Sequence, residues 1–123
     1  MTAPARPARP DAAAARSSIA DALAGMRRDF CAGLDARICR IETARLALGS
    51  DTEAALESLQ FEAHRICGVA GSLGLDDVSV EARALEDDVM QIERKPLSTE
   101  AQAALNARVE RFLDLLEDHL TEI

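Results

Sequence analysis

The chain has no tryptophan, no tyrosine and only three phenylalanines. Sheets draw on aromatic and β-branched residues for their half-buried faces, so this scarcity argues for helices built on Leu, Ala, Ile and Val. Basic residues are also in deficit: 14 Lys and Arg against 22 Asp and Glu give a net charge of −8. A body of that sign repels polyphosphate. Its one local basic excess, Arg6 and Arg9, lies in the N-terminal stretch, so no nucleic-acid partner is expected. No apolar run approaches the roughly 18 residues of a membrane span, so no membrane partner is expected either. Cys31, Cys39 and Cys67 are an odd set without a CxxC pair. They read as reduced thiols of a cytoplasmic protein rather than as a disulfide framework. The chain also lacks a glycine-rich phosphate loop, a strand run and any internal repeat.

At 123 residues there is material for one core and not for two. Residues 1–16, MTAPARPARPDAAAAR, carry Pro4, Pro7 and Pro10 but no compact apolar segment. They fail as a secretory signal and read as a disordered tail, leaving residues 17–123 as one domain.

Four helices follow from caps and periodicity. Ser17 or Ser18 caps the first, which carries Ile19, Leu23, Met26, Phe30, Leu34, Ile38 and Ile41 and stops at a left-handed Gly49. Ser50-Asp51-Thr52-Glu53 is a capping box for the second, with a seam of Leu56, Leu59, Ala63, Ile66, Ala70 and Leu73 and a stop at Gly74. Asp76 or Asp77 caps the third, whose seam is Val78, Ala82, Leu85, Val89 and Ile92, and Lys95-Pro96 ends it. Thr99 with Gln102 opens the fourth, which carries Leu105, Val109, Phe112, Leu116 and Leu120. Short links make neighbouring helices antiparallel, so the expected fold is all-α, an up-down-up-down four-helix bundle.

With each residue turning roughly 100°, His64 lies about 140° from the mean direction of the second helix's seam. Phe61 lies about 160° away, Gly68 about 180° and Gly71 about 120°. The outward face therefore reads Phe61, His64, Gly68, Gly71. A glycine inside a helix costs up to about 1 kcal/mol against alanine, so two beside an outward histidine call for a reason. They would clear space for another protein's backbone to reach the ring, with Phe61 as its apolar anchor.

The run His64-Arg65-Ile66-Cys67-Gly68-Val69-Ala70-Gly71-Ser72-Leu73-Gly74-Leu75, with Leu85-Glu86 further on, resembles the motif of the histidine-containing phosphotransfer (HPt) domain. That motif is approximately H-x-L-K-G-x-A-x-x-x-G followed by L-E. His64, Gly68, Ala70, Gly74, Leu85 and Glu86 match it, and Ile66 fills the leucine place. The resemblance implies a bundle whose outward His64 takes a phosphoryl group from one receiver-domain aspartate and passes it to another. The implied partners are receiver domains of response regulators or hybrid histidine kinases, with the chain itself a monomer. Neutral imidazole is a competent nucleophile near pH 7, and the transfer needs mainly positioning and charge neutralisation. In such pairs the Mg²⁺ and the catalytic carboxylates belong to the receiver, so no cofactor of the chain's own is implied. The family usually has lysine three residues after the histidine, where this chain has Cys67. Arg65, projecting about 100° from His64, and Arg83 are other sources of positive charge. Glu86 matches a family position that hydrogen-bonds the ring, and Gln60 is placed to do the same.

Other readings compete. His64 and Cys67 could converge on one ion, joined by Cys31 or Cys39, but no second Cys/His pair has ligand spacing. Closed structural zinc sites need four ligands, so no metal is expected. Without the lysine, the chain could instead be a degenerate adaptor that docks on a receiver or kinase without efficient transfer. A self-sufficient kinase has no room for an ATP-binding domain. A plain structural bundle would leave the Phe-His-Gly-Gly face to chance.

Overall fold

The amphipathic runs fold as helices in the computed structural model, which describes residues 12–92 and 97–120. Five helices follow in order: α1 (Ala12–Ala32), α2 (Leu34–Leu46), α3 (Thr52–Ser72), α4 (Asp76–Gln91) and α5 (Thr99–Leu120). No strand occurs among the described residues. Helices α2 to α5 close a ring of neighbours, α2 on α3, α3 on α4, α4 on α5 and α5 on α2, while α1 leans on α2 and α5.

One first helix was expected and two are found. Gly33 divides them, its N–H shared between the carbonyls of Phe30 at 3.1 Å and Asp29 at 3.2 Å. Glycine's backbone freedom makes it the weak point of a helix, and there the turn tightens and one helix gives way to the next. The start also differs, because α1 begins at Ala12, ahead of Ser17 and Ser18. Ile19 and Met26, assigned to the seam, are exposed on α1, whereas Phe30, Leu34 and Ile41 are buried. Periodicity finds the apolar face of a helix but not where the neighbouring helices stop covering it.

The helix ends correct several expectations. α2 stops at Leu46, short of Gly49, and the only positive-φ residue among those described is Gly74 at 73°. Right-handed turns close the segment after α2, with Asp51 N–H bonding Ala47 O at 2.8 Å, so Gly49 is not required to be left-handed. Asp51 precedes α3 without a side-chain cap, and the Thr52 hydroxyl donates back to Leu48 O at 2.7 Å. Leu75 precedes α4, where neither acid acts as its cap; Asp77 Oδ1 accepts the adjacent Val78 N–H at 2.8 Å. At α5 the capping oxygen is Ser98 Oγ, which accepts Ala101 N–H at 3.1 Å, so a simple serine cap one residue before Thr99 replaces the expected box. The expected stop at Lys95-Pro96 lies outside the described residues, and the exit of α3 at Gly74 is as expected. There Leu75 N–H reaches Ala70 O at 2.9 Å and Gly74 N–H reaches Gly71 O at 3.2 Å, the paired bonds of a Schellman ending.

The seam of α3 is buried throughout, as are Val78, Ala82, Leu85 and Val89 of α4 and Leu105, Val109, Phe112 and Leu116 of α5. Each Val, Leu, Ile or Phe among them contributes about 1.5–3 kcal/mol by leaving water, depending on its size, and each alanine less. Two polar residues are buried with them, Glu62 and His119. Glu62 is held between two cations of α2: Arg40 Nε donates to its Oε1 at 2.6 Å, and Arg37 Nη1 lies 3.8 Å from Oε2. Without such pairing a buried carboxylate would cost several kcal/mol. No helix among the described residues is long and apolar enough to cross a membrane.

Candidate functional site

α3 carries the imidazole and α4 supplies what holds it. The seam residues Ala63 and Ile66 turn inward and leave His64 facing water, its side chain 75% exposed. Leu85 turns inward on α4, so Glu86 beside it stands at the edge of the α3/α4 contact, 16% exposed. His64 Nδ1 and Glu86 Oε2 meet at 2.7 Å. A carboxylate only accepts, so the proton of this bond sits on Nδ1 and the lone pair of Nε2 is left free. A charge-assisted bond of this length also fixes the ring's orientation.

One turn further along the same contact, Cys67 meets Ser79. The Ser79 hydroxyl donates to Cys67 O at 3.1 Å, and Cys67 Sγ lies 3.6 Å from its oxygen. Cys67 is half-buried and packs against the core, so the position three residues after His64 carries no cation and is partly inside. His64 and Cys67 are thus turned to different partners, and no group of three potential ligands gathers for a metal among the described residues.

The two glycines have different causes. A Cβ on Gly68 would meet nothing within 4 Å, so the fold itself does not demand glycine there. A Cβ on Gly71 would come within 3.3 Å of Ser79 Oγ. Part of the reason for Gly71 is therefore inside the molecule, where it makes room for the serine that holds α4 against α3.

A shallow cavity of about 380 Å³ opens beside the ring, lined by Glu57, Gln60, Phe61, His64, Arg65 and Glu86. Gln60 is half-buried in its wall and Phe61 is exposed at its rim. Arg65 belongs to this cavity although the helical projection turns it away from His64. Its guanidinium lies over the Phe61 ring, 5.6 Å from the centroid. Arg83 is exposed on α4 and does not line the cavity. A larger groove of about 500 Å³ between α2 and α3, floored by Ala44, Ala47 and Ala55, shares Phe61 with the first but contains no imidazole.

Sequence reasoning missed Glu57 and Ser79. Glu57 lies seven residues before His64, nearly in line with it along the helix, and that spacing was the available signal. Ser79 precedes Glu86 by the same interval, which puts both on the α4 face that meets α3; nothing in the sequence showed that its partner is Cys67.

The Hpt domain family model matches residues 25–123, which includes all of α2 to α5, the site and the final part of α1. No curated protein and no solved structure matches the chain. The matched stretch contains the outward histidine, the acid that holds it and the helices that position both, and on that match the chain belongs to the Hpt domain family, the histidine phosphotransfer domains of phosphorelays.

Proposed function

We propose that this chain is a phosphorelay intermediate, taking a phosphoryl group from one receiver aspartate onto His64 and handing it to another. The observation that carries this reading is the 2.7 Å bond from His64 Nδ1 to Glu86 on a ring that is otherwise open to water. Nε2 is then the nucleophile. Its lone pair forms the N–P bond as the acyl-phosphate P–O bond breaks, and that bond's electron pair leaves on the receiver's aspartate. The Nδ1 proton stays in place, so the phosphorylated ring is a cation, and the Glu86 carboxylate balances it. The receiver would rest on Phe61 and approach over Gly68, where no side chain stands in its way. This chain would act as a monomer in the cytoplasm, and its matched helices would form the antiparallel up-down-up-down bundle. Contacts in reverse order along neighbouring helices support that arrangement: His64 with Glu86 and Cys67 with Ser79, then Asp88 with Arg108 and Asp77 with His119.

The half-buried, neutral Cys67 favours the second reading, an adaptor that docks on a receiver or kinase without efficient transfer. One experiment separates the two. The chain is incubated with a panel of phosphorylated receivers, and acid-labile, base-stable label is sought on the parent and on His64→Gln. Label on the parent and none on the variant is the expected result, with an unchanged helical circular-dichroism spectrum and melting temperature. A parent that binds receivers but takes no label is the adaptor.

A further inference from the structure

The cavity beside the ring carries few groups that could neutralise a phosphoryl group. Two of its six lining residues, Glu57 and Glu86, are acids, and the lysine place holds the neutral Cys67. Arg65 is the one cation in the lining. It forms no ion pair with any described residue, and its guanidinium rests on the Phe61 ring. A cation–π contact takes up no hydrogen-bond acceptor, so the N–H groups of the guanidinium remain for the oxygens of a phosphoryl group. The spacing explains the contact, since residues four apart lie on one side of a helix. Phe61 thus props a long side chain that would otherwise sample many rotamers, and props it in the wall of the cavity that contains the ring.

Resting on the proposed phosphotransfer at His64, we infer that Arg65 is the catalytic cation of that transfer, doing from the Phe61 platform what lysine does in relatives that carry it at the Cys67 place. During transfer its N–H groups bond the phosphoryl oxygens while the Nε2–P bond forms and the bond to the receiver's aspartate breaks. Docking excludes water and strengthens this interaction, although Arg65 is exposed in the free protein. Phe61 is a positioning residue, acting through Arg65.

Single-turnover uptake from one phosphorylated receiver, measured against receiver concentration, tests this. Arg65→Ala is expected to slow the saturated rate by about thirty-fold and to shift half-saturation by less than three-fold, with guanidinium ion restoring part of the rate. Phe61→Leu, which keeps apolar bulk but loses the π face, is expected to slow the saturated rate by about three-fold. It should have no effect on the saturated rate in the Arg65→Ala background. Adding Cys67→Lys to Arg65→Ala should recover about ten-fold, because the two cations are then alternatives. Uptake by Arg65→Ala at the parent's saturated rate overturns the inference and leaves phosphotransfer at His64 standing. So does a variant in which only half-saturation moves, because Arg65 is then a docking contact. A parent that takes no label from any receiver defeats the underlying reading instead.

Discussion

The chain has two histidines, and each is paired with a carboxylate from α4 in the opposite sense. His64 meets Glu86 late in α4, with the ring 75% exposed and the acid 16% exposed. His119 meets Asp77 at the start of α4 with the exposures reversed, the ring 9% and the acid 57%. The chemistry of each pair is the same imidazole–carboxylate bond, at 2.7 Å in one and 3.2 Å in the other. What differs is which member faces water. An exposed ring held by a sheltered acid can meet a partner protein without losing its orientation. A buried ring held by an exposed acid ties the last turn of α5 to the first turn of α4, and no partner can reach it. Position in the fold, not residue type, separates a histidine open to a partner from one that ties two helices together.

The strongest way to break that comparison is to exchange the consequences of losing each ring. Loss of His64 should abolish phosphoryl uptake and leave stability unchanged. His119→Ala should do the reverse, since it opens a cavity at a buried position and removes a tie between helices. The expected cost is about 2–3 kcal/mol, a fall in melting temperature on the order of 10 °C for a domain of this size. Uptake per folded molecule should stay within two-fold of the parent. If His119→Ala melts with the parent, or if it loses label while folded, the two histidines have been assigned the wrong way round.

A smaller effect sharpens the role of the sheltered acid. Glu86→Gln keeps an oxygen that can accept from Nδ1 but removes the charge that, on the proposed transfer, would balance a phosphorylated ring. Uptake should slow by about five-fold, about 1 kcal/mol of transition-state stabilisation, with folding unaffected. An unchanged rate would mean that Glu86 aligns the ring without stabilising its charge.

Much of the fold and the centre of the site are legible in the amino-acid sequence. The inward seams of α3, α4 and α5, the outward His64 and the stop at Gly74 follow from helical period and from glycine's access to positive φ. What stays hidden depends on a second element. Ile19 and Met26 have the period of a core face, yet the other helices do not reach far enough to cover them. Gly68 and Gly71 look alike in sequence, and only Ser79 tells them apart. Arg65 points away by projection because a helical wheel fixes the Cα direction, whereas a long side chain goes where an aromatic ring holds it. Nothing local to His119 shows that α4 supplies it with a carboxylate. Spacing within a helix gives the faces; contacts between helices decide what each face does.

The smallest effect tests the exposed acid, Asp77, by pH. Burial alone would raise the Asp77 carboxyl, but the Val78 amide and then His119 outweigh it, so its pKa lies below the usual value. A group whose folded pKa is lowered stabilises the protein above its unfolded pKa, about 3.9 for aspartate. That contribution is lost as pH falls through the lower, folded value, because the unfolded chain then binds the proton first. Asp77→Asn keeps an oxygen for the Val78 N–H and a partner for the ring but has no charge to lose. At pH 7 the variant should therefore melt slightly below the parent, and the gap should close as pH is taken from 5 towards 3. Solvent screens an acid this exposed, so the gap is expected to be a few degrees at most. Melting curves of both proteins across that range decide the matter. A gap that widens in acid would show that the charge on Asp77 opposes the folded state. A constant gap would show that the bond to His119 depends on shape alone, and the likeness between the two histidine–carboxylate pairs would end at their geometry.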